Sequence, residues 1–94
     1  MRSKLYTELL ESFLNVKSKK ELDALLHALF TPQELEELPK RLEIFKQLKK
    51  GTPQHDIAKK VGVGIATVTR GSHEIQRGYI QKTSWWQSLT PMGG

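Results

Sequence analysis

The 94-residue chain contains no cysteine. That excludes a disulfide framework, a thiolate nucleophile and a cysteine-based zinc site. It also lacks a long apolar run. Nothing approaches the roughly 20 consecutive residues needed to span a bilayer, so no membrane association is expected. No uninterrupted apolar stretch opens the chain, so no secretory signal is expected and the reading is cytoplasmic. Histidines are few, and His27, His55 and His73 lie on different elements, which argues against a metal centre. Ser72 and His73 are adjacent, but no acid completes a triad and no oxyanion site accompanies them. No enzyme, no catalytic residue and no cofactor is therefore expected. A domain of this size buries only about 60–65% of its unfolded surface. Such chains often gain core by associating with another chain.

Negative charge is also scarce over residues 49–82. The net charge is +5, and its placement matters more than its size. Residues 1–48 carry eight Lys or Arg and eight Asp or Glu, so they are neutral. Residues 49–82 carry Lys49, Lys50, Lys59, Lys60, Arg70, Arg77 and Lys82 against only Asp56 and Glu74, which is the whole excess. A one-sided basic region points to a polyanion, nucleic acid before acidic lipid.

The apolar pattern of the first half is helical throughout. Leu5, Leu9, Leu10, Phe13 and Leu14 recur at helical spacing, and Leu22, Leu25, Leu26, Leu29 and Phe30 form a second stripe. Ser18 to Glu21 has the form of a capping box, as does Thr31 to Glu34, with Pro32 at the first helical position. The third helix runs to Lys50, with Leu35, Leu38, Leu42, Phe45 and Leu48 as its expected buried face. Lys49, Lys50 and then Gly51 suit a helix C-terminus. Pro39 interrupts this helix and predicts a kink, or two shorter helices with Pro39 starting the second. Thr52-Pro53 predicts another capped start, for a short helix from about Pro53 to Lys60. Ser84-Trp85-Trp86-Gln87 predicts a capped final helix, and residues 91–94 a frayed tail. Trp85 and Trp86 suit packing on a neighbouring core better than stacking on bases.

One stretch contradicts the pattern. GVGIATVTRGS, Gly62 to Ser72, is rich in β-branched residues and reads locally as strand. No other run offers it a partner, and a lone strand leaves its backbone groups unpaired. As a helix it fits its neighbours. Ile57, Val61, Val63 and Val68 supply one apolar side, Ala58 permits a close crossing, and Gly62 suits a turn with positive φ. That is the pattern of a helix-turn-helix. A helix starting near Gly64 buries Val68 and turns Ile65, Ala66, Thr69, Arg70 and His73 to solvent. Ile and Ala suit a thymine methyl, Thr a base or phosphate, and Arg or His a guanine or phosphate. The free N–H groups at the helix start suit a phosphate.

LFTPQELEELPKRLEIFKQLKKG followed by QHDIAKKVGVGIATVTRGS resembles the Trp repressor family. GIATVTRGS is the specific part, and the resemblance covers roughly residues 28–77. It implies an all-α fold of five to six helices with a helix-turn-helix, forming an intertwined homodimer. It divides the chain into dimerisation helices (1–50), the helix-turn-helix (52–77) and a C-terminal helix or arm (79–90). It implies a transcriptional repressor on double-stranded DNA, with a palindromic operator whose half-sites lie about 34 Å apart. Gln54, His55, Gly64, Ile65, Ala66, Thr67 and Thr69 fall where the family touches DNA, with Lys59 and Lys60 in the same basic region. The implied effector is L-tryptophan, with Arg41 and Arg70 flanking the indole and Thr31 lining the pocket. A guanidinium plane stacks well on an aromatic ring. Gly71 costs about 1 kcal/mol inside a helix, so a ligand or a neighbouring helix is expected to approach its backbone. Two residues depart from the family. Glu74 replaces a serine and can hold a ligand's ammonium, or pair with Arg70 or Arg77 and close the site. Phe45 replaces a smaller aliphatic residue and can fill the space meant for the indole. The alternatives are a DNA binder that is constitutive or uses another effector, and a protein-interaction module that kept the fold without the DNA role.

Overall fold

The computed structural model describes residues 3–89. Among them the chain is helical and contains no strand. The elements are α1 (Lys4–Leu14), α2 (Lys19–Leu29), α3 (Pro32–Lys50), α4 (Gln54–Val61), α5 (Ile65–Arg77), a 3-10 turn (Ile80–Lys82) and α6 (Ser84–Ser88). They group into two compact units, one ending at Glu36 and one beginning at Glu37. The proposed tail, residues 91–94, lies outside the described residues.

In the first unit, local hydrogen bonds set the helix starts. The Ser3 hydroxyl accepts from the N–H of Tyr6, and that of Ser18 from Glu21. The Thr31 capping box is complete: its hydroxyl accepts from the Glu34 N–H at 3.2 Å, and Glu34 accepts from the Thr31 N–H at 2.9 Å. Packing is sparse by contrast. Neither α1 nor α2 contains a fully buried residue, and Leu5 and Leu14 are 77% and 83% exposed. Helices of 11 residues are marginal on their own.

The second unit holds the core. Ile44 of α3, Ile57 of α4 and Val68 of α5 are its buried apolar side chains, with Leu48, Ala58, Val61 and Val63 packed around them. The segment from Gly62 is therefore a turn and a helix, with Val68 as its anchor. Gly62 takes φ +80°, the left-handed conformation that lets α4 stop and α5 begin three residues later. Gly71 has a different reason. A β-carbon there would lie 2.8 Å from Ile44 Cγ2. The neighbour that approaches its backbone is helix α3. In Gly71→Ala the added methyl meets a buried, branched side chain. Overpacking costs about 1–3 kcal/mol, against about 1 kcal/mol of helix preference regained. The melting temperature is expected to fall by a few degrees. A rise in a thermal melt would show that α3 yields freely at this point.

Several sequence expectations are corrected. α3 is one helix across Pro39, so the split into two helices does not occur. Proline's fixed φ is compatible with a helix, at the cost of its bond to the Leu35 carbonyl and of crowding between its ring and that carbonyl. The buried positions of α3 are Ile44 and Gln47, while Leu42 is exposed. Gln47 is tolerated because its amide is satisfied. Nε2 donates to Glu43 at 2.6 Å, and Oε1 accepts from the Thr52 hydroxyl at 3.0 Å. The Gln47 bond, aided by nearby Lys46, Lys60 and Lys50, holds the Glu43 carboxyl below its ordinary range. Thr52 is thus committed to Gln47 and does not cap α4, whose cap position is Pro53. α6 is capped by Thr83, whose hydroxyl accepts from the Trp86 N–H, and not by Ser84. Trp86 returns toward α3: Lys49 Nζ lies 4.8 Å from its ring centroid and donates to its carbonyl. Among the described residues no helix is long and apolar enough to cross a membrane.

Candidate nucleic-acid interface and adjoining cavity

α5 has two sides with different chemistry. Val68 is fully buried against the core, while Ile65, Ala66, Arg70 and His73 are exposed. Gly64 precedes the helix without a side-chain cap, so N–H groups of its first turn remain for an outside acceptor. α4 brings His55, Lys59 and Lys60 to the surface. No carboxylate lies within ion-pair distance of Lys59, Lys60 or Arg70 among the described residues. Gln54 and Thr69 join the two helices: the Thr69 hydroxyl donates to Gln54 Oε1 at 2.8 Å. That hydroxyl also lies 3.1 Å from the Ile65 carbonyl. Gln54 and Thr69 are consequently half-buried and fix how α4 meets α5. His55, Lys59, Val63 and Ile65, with Asp56 and Ala58, line an open hollow of about 410 Å³ on this surface.

Behind α5 lies a cavity of about 390 Å³, between α5 and the second half of α3. Its lining is Arg41, Ile44, Phe45, Thr67, Arg70, Gly71 and Glu74. The fold thus brings together Arg41, Phe45, Arg70, Gly71 and Glu74, which the sequence placed at a ligand site. Thr67, assigned to DNA from the sequence, lines the cavity instead of standing fully exposed. Ile44 was missed, although it lies three residues after Arg41 and so on the same helix face. Thr31 belongs to the first unit, and its hydroxyl is spent on the start of α3.

Charge in the cavity is arranged unequally. Arg41 lies 3.6 Å from Glu37, both exposed, an attraction of little strength. Glu74 is held by Arg77, whose Nη1 donates to both carboxylate oxygens at 2.9 and 2.8 Å. This bond raises the Arg77 guanidinium above its ordinary pKa. Of the two pairings open to Glu74 in the sequence, Arg77 is the one formed. Phe45 lines the space without filling it. The result is a half-open site with two arginines, an aromatic ring, an aliphatic wall and one engaged carboxylate.

Comparison with known proteins agrees with this geometry. The family model described as "Trp repressor protein" matches residues 4–90. A "Trp operon repressor homolog" of Vibrio vulnificus is 48% identical over 59 residues, 62% of this chain and 58% of that protein. The alignment thus spans under two thirds of that relative's length. One from Aliivibrio fischeri is 33% identical over 85 residues, 89% of this chain and 79% of that protein. One from Photobacterium profundum is 40% identical over 68 residues, 71% and 66% of the two chains. No solved structure matches the chain. With nearly its whole length matched, the chain belongs to the Trp repressor family.

Proposed function

We propose that the chain is a sequence-specific DNA-binding repressor that works as a homodimer and takes L-tryptophan as its effector. The observation that carries the DNA role is the surface of α4 and α5: exposed Ile65 and Ala66 on an uncapped helix start, together with exposed Lys59 and Lys60. Apolar groups of that size suit thymine methyls in a major groove. The lysines and the free N–H groups suit flanking phosphates. Gln54 and Thr69 hold the two helices at a fixed angle, so base contacts from α5 and backbone contacts from α4 are made together.

Homodimerisation is supported by what the single chain leaves uncovered. Leu5, Leu9, Leu10, Leu14 and Leu29 are exposed, and three buried apolar side chains among the described residues are a small core. A second copy covering these stripes supplies the missing burial. Two copies related by a two-fold axis then address a palindromic site with half-sites one helical turn apart. Regulation follows from the cavity's position. It has α3 on one wall, which contributes Arg41, and α5 on the other, which contributes Arg70. An indole seated between the guanidinium planes favours one spacing of α3 and α5. It shifts DNA affinity to the extent that it binds that spacing better than others.

The test is a selection from random duplexes with nuclease-treated full-length chain, with and without L-tryptophan. The expected result is a palindromic consensus, enriched more strongly with the amino acid, and one saturable calorimetric site per chain. A consensus that is indifferent to tryptophan would leave a constitutive regulator. Failure to enrich any duplex would sink the DNA role.

A further inference from the structure

The pair of helices α4 and α5 follows α3 after a connection of three residues, Gly51, Thr52 and Pro53. The Thr69–Gln54 bond ties α4 and α5 to each other. Two features bear on how that pair meets α3. The first is the apolar cluster of Ile44, Ile57 and Val68, which has no directional preference of its own. The second is the connection, which is directional. Gly51 takes φ +84°, and its N–H donates to the Leu48 carbonyl at 3.0 Å. Gln47 then holds Thr52 twice. Its backbone carbonyl accepts from the Thr52 N–H at 3.1 Å, and its side-chain Oε1 accepts from the Thr52 hydroxyl at 3.0 Å. Pro53 follows at φ −59°, an angle its ring fixes. Its carbonyl accepts from the Ile57 N–H of α4 at 3.1 Å.

Gln47 is the one buried polar side chain among the described residues, at 3% exposure. Its amide has a set orientation. The Glu43 carboxylate accepts from Nε2 at 2.6 Å, which leaves Oε1 as the end that faces Thr52. Turning the amide over would set its oxygen against the carboxylate. A leucine would serve burial alone, without the cost of desolvating an amide. The amide adds direction between α3 and the residue that leads into α4.

We propose that the relay Glu43–Gln47–Thr52 is a positioning device that sets the half-site spacing read by the two copies of the chain. The proposal rests on the reading of the chain as a dimeric DNA binder whose shared core includes α3. Each protomer then carries α4 and α5 on its own connection. One base pair added between the half-sites moves them apart by about 3.4 Å and turns them by about 34°. To follow, a protomer must bend its connection, and bending breaks the Thr52–Gln47 side-chain bond. The net worth of such a bond is a factor of about five, which is added to the discrimination against a wrong spacing.

The probes are the selected palindromic duplex and the same duplex with one base pair added or removed at its centre. Each is titrated by anisotropy, with L-tryptophan present, below the melting midpoint of each protein. The wild-type chain is expected to prefer the selected spacing about tenfold or more, the cost of a missed base pair. Thr52→Val keeps the size and removes the hydroxyl, and the preference is expected to shrink about fivefold. Thr52→Ser keeps the hydroxyl and should keep the preference. Gln47→Leu combined with Thr52→Val removes both partners, so the melting temperature is expected to stay within a few degrees of wild type. Its preference should shrink as far as in Thr52→Val alone. Loss of spacing preference at unchanged stability separates positioning from a merely structural role. Should the double variant melt far lower, the pair Thr52→Val and Thr52→Ser decides alone. If Thr52→Val keeps the full preference, or Thr52→Ser loses it too, the relay role is overturned while the DNA role stands. The same holds if the wild-type chain binds all three duplexes alike. If it binds none of them, the DNA-binding reading itself fails, and this role with it.

Discussion

Raising the salt concentration from 50 to 200 mM is expected to weaken binding of the selected duplex by about a thousandfold. Lys59 and Lys60 lie in the last turn of α4, and Arg70 lies on α5, all exposed and with no carboxylate within ion-pair distance among the described residues. Three cations on each of two protomers neutralise about six phosphates, and each displaces condensed counterions at a slope of about −0.9. Double-logarithmic plots from anisotropy titrations should then fall with a slope of about −5. The residues separate by role. Lys59→Ala or Lys60→Ala should weaken every duplex alike and reduce the slope by about two, one phosphate per protomer. Ile65→Ala should leave the slope intact and instead shrink the preference for the selected site over a mismatched one, by part of the roughly 1–3 kcal/mol that a mismatched base pair costs. A salt-independent affinity would contradict the placement of phosphates against α4. It would return the chain to the reading of a module that kept the fold and lost the DNA role.

What was legible in the sequence depended on how local its physics is. The Thr31 capping box spans four residues and closes on itself, and it is present with both bonds. Gly62 was legible because a helix must end in a conformation that β-carbons resist, and it takes φ +80°. The recognition-like segment was legible only by elimination: its β-branched residues favour strand, and the absence of any partner strand overrides them. The buried face of α3 was misread because that face is chosen from across the gap. Gly71 on α5 is where Ile44 can come close, so the helix turns Ile44 inward and leaves Leu42 out. Periodicity also passes over Gln47, since a polar residue counts as surface until both ends of its amide find partners. In the cavity, the resemblance supplied Arg41, Phe45, Arg70, Gly71 and Glu74. Thr67 and Ile44 came from the packing of α3 on α5, and Glu74's choice of Arg77 came from side-chain geometry. Neither is written in any short stretch.

Ile57→Ala is expected to cost about 2–5 kcal/mol of stability, a large share of what a small domain possesses. Ile57 is fully buried and is the member of the core cluster that α4 contributes. Removing three carbons leaves a cavity that its neighbours cannot fill cheaply, because α4 is tied to α5 by the Thr69–Gln54 bond and by the tight turn at Gly62. With Ile44 and Val68 as the only other fully buried apolar side chains described, no second layer takes up the loss. Thermal denaturation should show a midpoint lower by roughly 10–25 °C. DNA affinity should fall even below the new midpoint, because α4 no longer holds its lysines at a fixed distance from α5. Ile65→Ala is the control on the same pair of helices: Ile65 is 41% exposed, so its truncation should move the midpoint little while DNA discrimination drops. If the two substitutions lower the midpoint equally, Ile65 is covered in the folded protein and is not the groove-facing residue. If Ile57→Ala leaves the midpoint unchanged, the unit is held by the contact with a second chain, and its own three-residue core contributes little.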